Sequence, residues 1–161
     1  MVSCKCKDDK CPNYFENQSA EIIPVIGNIN IGEIIRLPVL IKKNDVKVKV
    51  DSCVEILTEA IGLNAISSFR FNYLLQRSTN NGIFKTLATI RPAQDLIFEN
   101  PVNPPPFDSG ALIPNLTWTD MQPGIGCHVY RIFFSDPSFI SLINTTLSIR
   151  TRAINATVFC H

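Results

Sequence analysis

Six cysteines give this chain its clearest potential for chemistry, and half of them lie within the first eleven residues. Cys4, Cys6 and Cys11 belong to a polar segment, MVSCKCKDDKCPNYFENQ, in which Tyr14 and Phe15 are the sizeable groups that could be buried. Such a segment cannot fold by burying apolar surface. Thiols concentrated in it indicate covalent or metal attachment, with the partner cysteines supplied elsewhere.

The other three cysteines, Cys53, Cys127 and Cys160, lie in strand-like segments. A chain of 161 residues is long enough to form a core without disulfide bonds. Folding therefore does not require the cysteines. Closed within one chain, the six thiols allow many pairings that the sequence does not separate, and shared between chains they allow a polymer.

The strand around Cys53 has the alternation of a half-buried β-strand. One face carries Val46, Val48, Val50, Ser52, Val54 and Ile56, and the other carries Lys47, Lys49, Asp51, Cys53 and Glu55. The period of two predicts that Cys53 points outward, where its thiol can meet another chain. Cys160 falls in register with apolar residues but is penultimate, and Cys127 begins a strand beside a turn.

Strand signals dominate the rest of the chain. Phe69 to Leu75 and Ile83 to Ile90 form a predicted hairpin, with Asn81-Gly82 supplying the positive φ angles of its turn. Further predicted strands are Ala111 to Thr119 paired with Cys127 to Phe134, then Leu147 to Ile149 and Ile154 to Cys160. Leu57 to Ile66 is the one stretch that could form a short helix.

Short strands, eleven prolines and no βαβ rhythm predict an all-β fold. We expect an antiparallel two-sheet jelly-roll sandwich over residues 21–161, preceded by a flexible Cys-bearing connector over residues 1–20. Residues 91–114, which include three consecutive prolines, are the longest predicted irregular stretch. Because sandwiches have open edges, the long strand from Asp45 to Leu57 is expected to pair with an adjacent subunit.

Charge and hydropathy exclude two kinds of partner. The net charge of +1, from 15 basic and 14 acidic residues, argues against nucleic acid and against an anionic membrane surface. The sequence has neither a long apolar span nor the apolar run of a secretory signal, so we expect synthesis in the cytosol without a signal peptide. Disulfides would then form only after release from the reducing cell.

Three other functions can be weighed against assembly. Cys4, Cys6 and Cys11 could bind zinc together with a histidine, but the usual second pair of ligands is missing. An enzyme is not expected, because neither His128 nor His161 has a nucleophile and a carboxylate to complete a triad. A trimeric jelly-roll head, similar to tumour-necrosis-factor-like or complement-like domains, would use exposed aromatics. Trp118 or Phe107 could serve there, although packing is the expected role of Trp118.

A jelly-roll body preceded by a short Cys-bearing arm, with no signal peptide, resembles the pilin subunits of bacterial endospore appendages and related exosporium proteins. The resemblance implies a structural subunit of a spore-surface fibre, with copies of itself in a helical homopolymer as its partner and no cofactor. It also admits other spore-coat or exosporium proteins as partners. It places Cys4, Cys6 and Cys11 in the arm. It implies that the acceptors of the intersubunit disulfides are Cys53, Cys160 and the additional Cys127.

The length of the arm is consistent with such links. Between Cys4 or Cys6 and the first strand, expected near Glu21, lie some fifteen residues. An extended chain covers about 3.3 Å per residue, so the arm could span on the order of 50 Å. A tether of this length makes contact with a neighbouring subunit effectively intramolecular.

Overall fold

The computed structural model describes residues 12–25, 32–62, 64–98 and 109–160, with the backbone alone for 136–140. These residues form eleven β-strands and no helix. The strands are β1 (Asn13–Ser19), β2 (Ile23–Val25), β3 (Gly32–Ile41), β4 (Val46–Ala60), β5 (Ala65–Thr79), β6 (Lys85–Ile90), β7 (Ala93–Phe98), β8 (Ser109–Leu112), β9 (Asn115–Asp120), β10 (Gly126–Ile143) and β11 (Thr145–Cys160).

The strands make two antiparallel sheets with the topology of a jelly roll. Sheet A has the order β1-β11-β4-β8, with β2 beside β11 and β9 beside β4, and sheet B has the order β3-β10-β5-β6, with β7 beside β5. Three pairs of short strands can each be counted as one broken strand: β1 with β2, β6 with β7, and β8 with β9. The eight strands that result, numbered along the chain, have the order 1-8-3-6 in sheet A and 2-7-4-5 in sheet B. Two interlocked Greek keys define this order, so the predicted fold class is confirmed.

The two ends of the sandwich carry different parts of the chain. We call the end where β1 begins the arm end, because Asn13 pairs there with Val158 near the end of β11. The turns at residues 42–45, 80–84 and 121–125 lie at this end. The opposite, distal end carries the link between β4 and β5 and the turn at Asn144.

The core lies between the sheets and follows the alternation read from the sequence. The inward residues of β4 and of β5 are buried, as predicted, and Phe69, Tyr73 and Leu75 have no exposed surface. Phe134 of β10 packs on Phe71, with ring centroids 4.5 Å apart. Burial of these side chains is the main force that holds the sheets together.

Polar contacts also join the sheets. The Tyr73 hydroxyl donates to Ser52 Oγ across the core at 3.0 Å, and Ser52 Oγ donates to the Leu116 carbonyl at 3.3 Å. On the β1 side, the buried Arg152 of sheet A donates from Nε to the Ile34 carbonyl of sheet B at 2.9 Å. Inward polar groups of β4, β5 and β11 therefore help to connect the two layers.

Several predictions from the sequence are wrong. The stretch from Leu57 to Ile66 is not helical, because β4 continues to Ala60 and β5 begins at Ala65. Residues 111–119 do not pair with residues 127–134, because β8 and β9 join β4 in sheet A while β10 lies in sheet B. The 91–114 stretch contains β7, β8 and the junction between β6 and β7, and residues 99–108 lie outside the described residues.

The final segment is one strand rather than two. A bulge between Ile149 and Arg152 interrupts the pairing of β11 with β4. On one side of the bulge Leu147 and Ile149 face the core, and on the other side Ile154 and Ala156 do so. A β-bulge inserts residues into one strand and changes which positions face inward, so the broken alternation had suggested two separate strands.

The boundary of the sandwich also differs from the prediction. Asn13 to Ser19 form β1 and pair with β11, although they fall inside the predicted connector over residues 1–20. The half-buried Phe15 packs against the core from this strand. The strand from Asp45 to Leu57 does not offer an open edge, because β4 is paired with β11 on one side and with β8 and β9 on the other.

The predicted hairpin between β5 and β6 is confirmed, but its turn lies one residue earlier. Asn80 and Asn81 have φ angles of 49° and 60°. The Gly82 amide donates to the Thr79 carbonyl at 2.9 Å, which closes the turn. Two consecutive positive φ angles are typical of the type I′ turns that match the twist of a hairpin, and asparagine tolerates this conformation.

Candidate functional site

Cys53 is an exposed free thiol in the middle of the outer face of sheet A. Its outward orientation confirms the prediction from the strand alternation. The residues opposite it are Ala153 on β11 and Asn115 on β9, so no large side chain covers the sulfur from a neighbouring strand. Asp51 and Glu55, two positions away on the same strand, place carboxylates on either side of the thiol.

Asp51 is held in place by two neighbours. Its Oδ1 accepts a hydrogen bond from the Thr117 hydroxyl at 2.6 Å, and its Oδ2 lies 3.2 Å from Lys49 Nζ. The surface around Cys53 is therefore ordered by cross-strand contacts. A thiol on such a surface can react with an incoming cysteine without a change in the fold.

Cys127 and Cys160 are both disulfide-bonded. Cys160 lies opposite Val46, at the arm-end terminus of β4, and packs against the core. Cys127 lies opposite Leu40, near the arm-end terminus of β3. Two of the three cysteines of the sandwich are thus oxidised at the arm end, and the free one, Cys53, lies farther along sheet A.

The arm residues Cys4, Cys6 and Cys11 lie outside the described residues. Because β1 begins at Asn13, Cys4 lies only nine positions before the sandwich and Cys6 seven positions before it. The corresponding reach is about 30 Å for Cys4, about 23 Å for Cys6 and about 7 Å for Cys11. These values replace the span of about 50 Å that follows from a first strand near Glu21.

Hydrogen bonds tie two turns of the arm end to each other. The Cys127 amide donates to Asn80 Oδ1 at 3.0 Å, and the Asn80 amide donates to the Cys127 carbonyl at 2.7 Å. A Cβ on Gly126, whose φ is +142°, would come within 2.7 Å of the same Asn80 oxygen. The close approach of the two turns therefore requires glycine at this position.

His128 is a structural residue of this end. Its Nδ1 lies 3.1 Å from the Thr79 hydroxyl and its Nε2 lies 3.0 Å from the Gly124 carbonyl. A carbonyl can only accept, so Nε2 carries the proton and Nδ1 accepts from the hydroxyl. Burial lowers the pKa of His128, because the charged imidazolium would be desolvated. Both ring nitrogens are thus used within the fold.

Asp120 anchors a buried charged network beside His128. Its Oδ2 forms an ion pair with Arg77 and accepts a hydrogen bond from the Tyr130 hydroxyl at 2.9 Å. Burial, followed by the charge of Asp120, raises the pKa of Tyr130, so the phenol stays protonated and donates. Because Asp120 belongs to sheet A while Arg77 and Tyr130 belong to sheet B, the network joins the sheets.

The Asp120 network was not predicted from the sequence, although the alternation of the strands contains a signal for it. Arg77 continues the inward series of β5 that includes Tyr73 and Leu75. Asp120 continues the inward series of β9 that begins with Leu116. A charged residue at an inward position predicts a buried partner of opposite charge.

The residues considered for a metal site or for a binding head have the following surroundings. Within the described residues, no three histidine, cysteine or carboxylate side chains are grouped as a metal site, and no helix is long and apolar enough to cross a membrane. Trp118 lies on β9, where 40% of it is exposed. Its expected packing is therefore only partial. Phe107 and His161 lie outside the described residues.

Comparisons with known proteins add little to this description. No family model and no curated protein matches the chain. A solved structure of the infectious bursal disease virus Gx strain is similar over 96% of this chain, with 11% sequence identity and a TM-score of 0.36. This chain covers 38% of the viral one. The assignment of the jelly roll accordingly depends on the strand order given above.

Proposed function

We propose that this protein is a structural, self-assembling subunit of an extracellular fibre of the spore surface, covalently cross-linked by disulfides from its N-terminal arm. The observation that carries the proposal is Cys53, a free and exposed thiol on an ordered sheet face. The arm carries three further cysteines, of which Cys4 and Cys6 have the longer reach from the sandwich. The acceptor that this arrangement favours is Cys53 of another copy.

The direction of the chain supports a link between subunits. β1 runs from the arm end toward the distal end, so the arm joins the sandwich at the arm end. The Cys53 thiol of the same chain lies about 17 Å back along sheet A, within the reach of Cys4 and Cys6, so peptide mapping must separate a bond within one chain from a bond between subunits. A neighbour placed beyond the arm end would lie next to the point where the arm joins the sandwich.

Charge favours the same pairing. Lys5 and Lys7 flank Cys6 in the arm, whereas Asp51 and Glu55 flank Cys53 on the sheet. The opposite charges of the two segments attract each other before the bond forms. Each disulfide then forms from two thiols with the loss of two protons and two electrons to dioxygen, after the chain has left the reducing cytosol.

Lateral pairing of strands is the second part of the proposal. β4 cannot take this role because both of its edges are paired. Asn17 Nδ2 donates to the Arg36 carbonyl at 2.7 Å, which closes the side between β1 and β3. On the other side, β6 and β7 form the outer edge of sheet B, β8 and β9 form the outer edge of sheet A, and no residue of β6 is buried. We expect edge augmentation at one of these two edges.

The test is to purify the chain without reductant, image it by electron microscopy and separate it on denaturing gels with and without dithiothreitol. We expect fibres and a covalent ladder that collapses to monomer on reduction, with a peptide joining Cys53 to Cys4 or Cys6. Soluble particles with every disulfide inside one chain would contradict the proposal. A discrete trimer would instead indicate a binding head, and stoichiometric zinc a metal-binding protein.

A rescue variant makes the test specific. Cys53→Ser should remove the ladder and leave the sandwich folded, because the residue is exposed. Cys53→Ser combined with Ala153→Cys moves the thiol to the directly opposite position on β11. We expect this double variant to restore part of the ladder, since the displacement is about 5 Å. Failure of the single variant to change the ladder would exclude Cys53 as the acceptor.

A further inference from the structure

The two oxidised cysteines of the sandwich face in different directions. Cys160 lies opposite the buried Val46 and packs against the core, so it points into the space between the sheets. Cys127 lies on β10, where the Tyr130 hydroxyl donates to Asp120 of sheet A. Side chains of a strand alternate between its two faces. Because Tyr130 faces sheet A and lies three positions after Cys127, Cys127 points outward from sheet B.

These directions exclude a bond between Cys127 and Cys160. The Cα atoms of a disulfide lie about 4.4–6.8 Å apart, whereas packed sheets lie about 10 Å apart and Cys127 points away from sheet A. The structure holds one chain, in which Cys53 is a free thiol. The partners of both oxidised cysteines must therefore come from the arm, which contains Cys4, Cys6 and Cys11.

The register of β1 with β11 identifies the partner of Cys160. Asn13 lies opposite Val158. In an antiparallel ladder, one step back along one strand matches one step forward along the other. Two such steps lead from Asn13 to position 11 and from Val158 to Cys160. The residue at position 11 is a cysteine.

The alternation of β1 is consistent with this pairing. Phe15 packs against the core, and Tyr14 beside it is 48% exposed. Position 11 has the same phase as Phe15, so it belongs to the inward face, as Cys160 does. Directly opposite residues have Cβ atoms about 4.5–5.5 Å apart, and a disulfide requires about 3.5–4.5 Å. The register therefore brings two thiols close to bonding distance.

We propose that Cys11 and Cys160 of one chain form a disulfide that fastens β1 to the end of β11, and that Cys127 is bonded to Cys4 or Cys6 of the same chain. Each bond replaces two S–H bonds by one S–S bond, and the two protons and two electrons reduce dioxygen to hydrogen peroxide. Neither bond depends on the proposed fibre, since both lie within one chain.

Contacts between β1 and β3 place the start of β1 near Cys127. The Asn17 side chain donates to the Arg36 carbonyl of β3 at 2.7 Å. β1 runs away from the arm end and β3 runs toward it, so four further residues on each strand bring Asn13 and Leu40 to the same level. Leu40 is the partner of Cys127 on the next strand of sheet B.

The arm can cover the remaining distance. A path from β1 to the other sheet and across one strand is about 15 Å long. From Cys11, five positions lead back to Cys6 and seven to Cys4, which correspond to about 17 Å and about 23 Å of extended chain. Both residues can therefore reach Cys127 while Cys11 is bonded to Cys160.

This pairing leaves one thiol in the arm, either Cys4 or Cys6, and one on the sheet, Cys53. Their numbers match one bond for each contact between subunits, a consequence that rests on the proposed function. The bond at Cys11 would also carry a pull on the arm directly into β11. Without it, the same pull would separate β1 from the sheet one residue at a time.

The test is to map the disulfides of the Cys53→Ser chain, in the monomer fraction and without reductant. Free thiols are first blocked with iodoacetamide, and linked tryptic peptides are then identified by mass spectrometry. Trypsin places each of the three arm cysteines on a separate peptide, because it cleaves after Lys5, Lys7 and Lys10.

We expect one peptide pair that joins Cys11 to Cys160 and another that joins Cys127 to Cys4 or Cys6, with the third arm cysteine alkylated. A pair that joins Cys127 to Cys160 would overturn the proposal. So would a bond from Cys160 to any cysteine other than Cys11, or alkylation of both Cys127 and Cys160.

A second measurement tests the register itself with two chains that each keep two cysteines, the others being replaced by serine. One chain keeps Cys11 and Cys160, and the matched control keeps Cys6 and Cys160. Equilibrium with glutathione gives the effective concentration of the two thiols, which is in the millimolar range for a flexible tether. We expect a value at least about tenfold higher for Cys11 than for Cys6. Equal values would overturn the assignment of Cys11.

Failure of this inference and failure of the proposed function give different results. A reducible ladder in which Cys160 is bonded to the arm of another copy would overturn the intrachain bond and leave the fibre standing. A Cys11 to Cys160 bond in an unmodified chain that gives no ladder and keeps Cys53 reduced would support the intrachain bond and overturn the disulfide-linked fibre.

Discussion

Replacement of Asp120 by alanine should cost more stability than any other single loss of a charge in the described part of the sandwich. The Arg77 side chain that pairs with it is 18% exposed and the Asp120 side chain is 10% exposed, so solvent screens the pair only weakly. Removing the carboxylate leaves the guanidinium buried without its partner. We expect the free energy of unfolding to fall by about 3–5 kcal/mol.

The Tyr130 hydroxyl adds a smaller effect to this network. It donates to Asp120 Oδ2 and would lose its acceptor in the same variant. Tyr130→Phe removes that hydrogen bond while the ion pair remains, and should cost about 1 kcal/mol. The two losses share one oxygen, so they should not be additive.

Urea unfolding followed by far-ultraviolet circular dichroism measures these changes, in a Cys53→Ser background and at fixed protein concentration. The matched control is Glu59→Ala, which breaks the ion pair with Arg150 at 3.0 Å, where the side chains are 39% and 31% exposed. That loss should be about 0–1 kcal/mol, since solvent screens the pair. Equal losses for Asp120→Ala and Glu59→Ala would refute the argument that burial sets the cost.

The remaining predictions concern two other buried side chains, His128 and Arg152. Burial lowers the pKa of His128, so on acidification the unfolded chain binds a proton before the folded chain does. The free energy of unfolding should therefore decrease as the pH is lowered below about 6.5, by up to about 1.4 kcal/mol per pH unit. His128→Gln should abolish this slope when unfolding is measured between pH 7 and 5. Arg152→Met should cost about 2–4 kcal/mol, because the Ile34 and Glu21 carbonyls lose their donor. Arg36→Met, at an exposed ion pair, should change stability by less than about 1 kcal/mol in the same urea titration.

Local alternation was sufficient to predict the faces of the long strands. Val46 to Ile56 and Phe69 to Leu75 keep one phase over their whole length, and burial follows that phase in the structure. The outward position of Cys53 follows from the same phase. These features depend only on neighbours in sequence, which is the information that a single chain provides directly.

Strand partners could not be predicted in the same way. The chain from β9 to β10 crosses from sheet A to sheet B, although the intervening turn looks like that of a hairpin. β1 has few apolar residues and is ordered by its pairing with β11, far along the chain. Burial in one strand does not specify which backbone completes its hydrogen bonds, so these contacts are set by the whole fold.

The buried polar groups show that the arm end is the more strongly connected half of the sandwich. It contains the Asp120 network, His128, the Asn80 turn and both disulfide-bonded cysteines. Nearer the distal end, the buried hydroxyls of Thr58 and Ser67 have no hydrogen-bond partner among the described residues, which is a cost to stability.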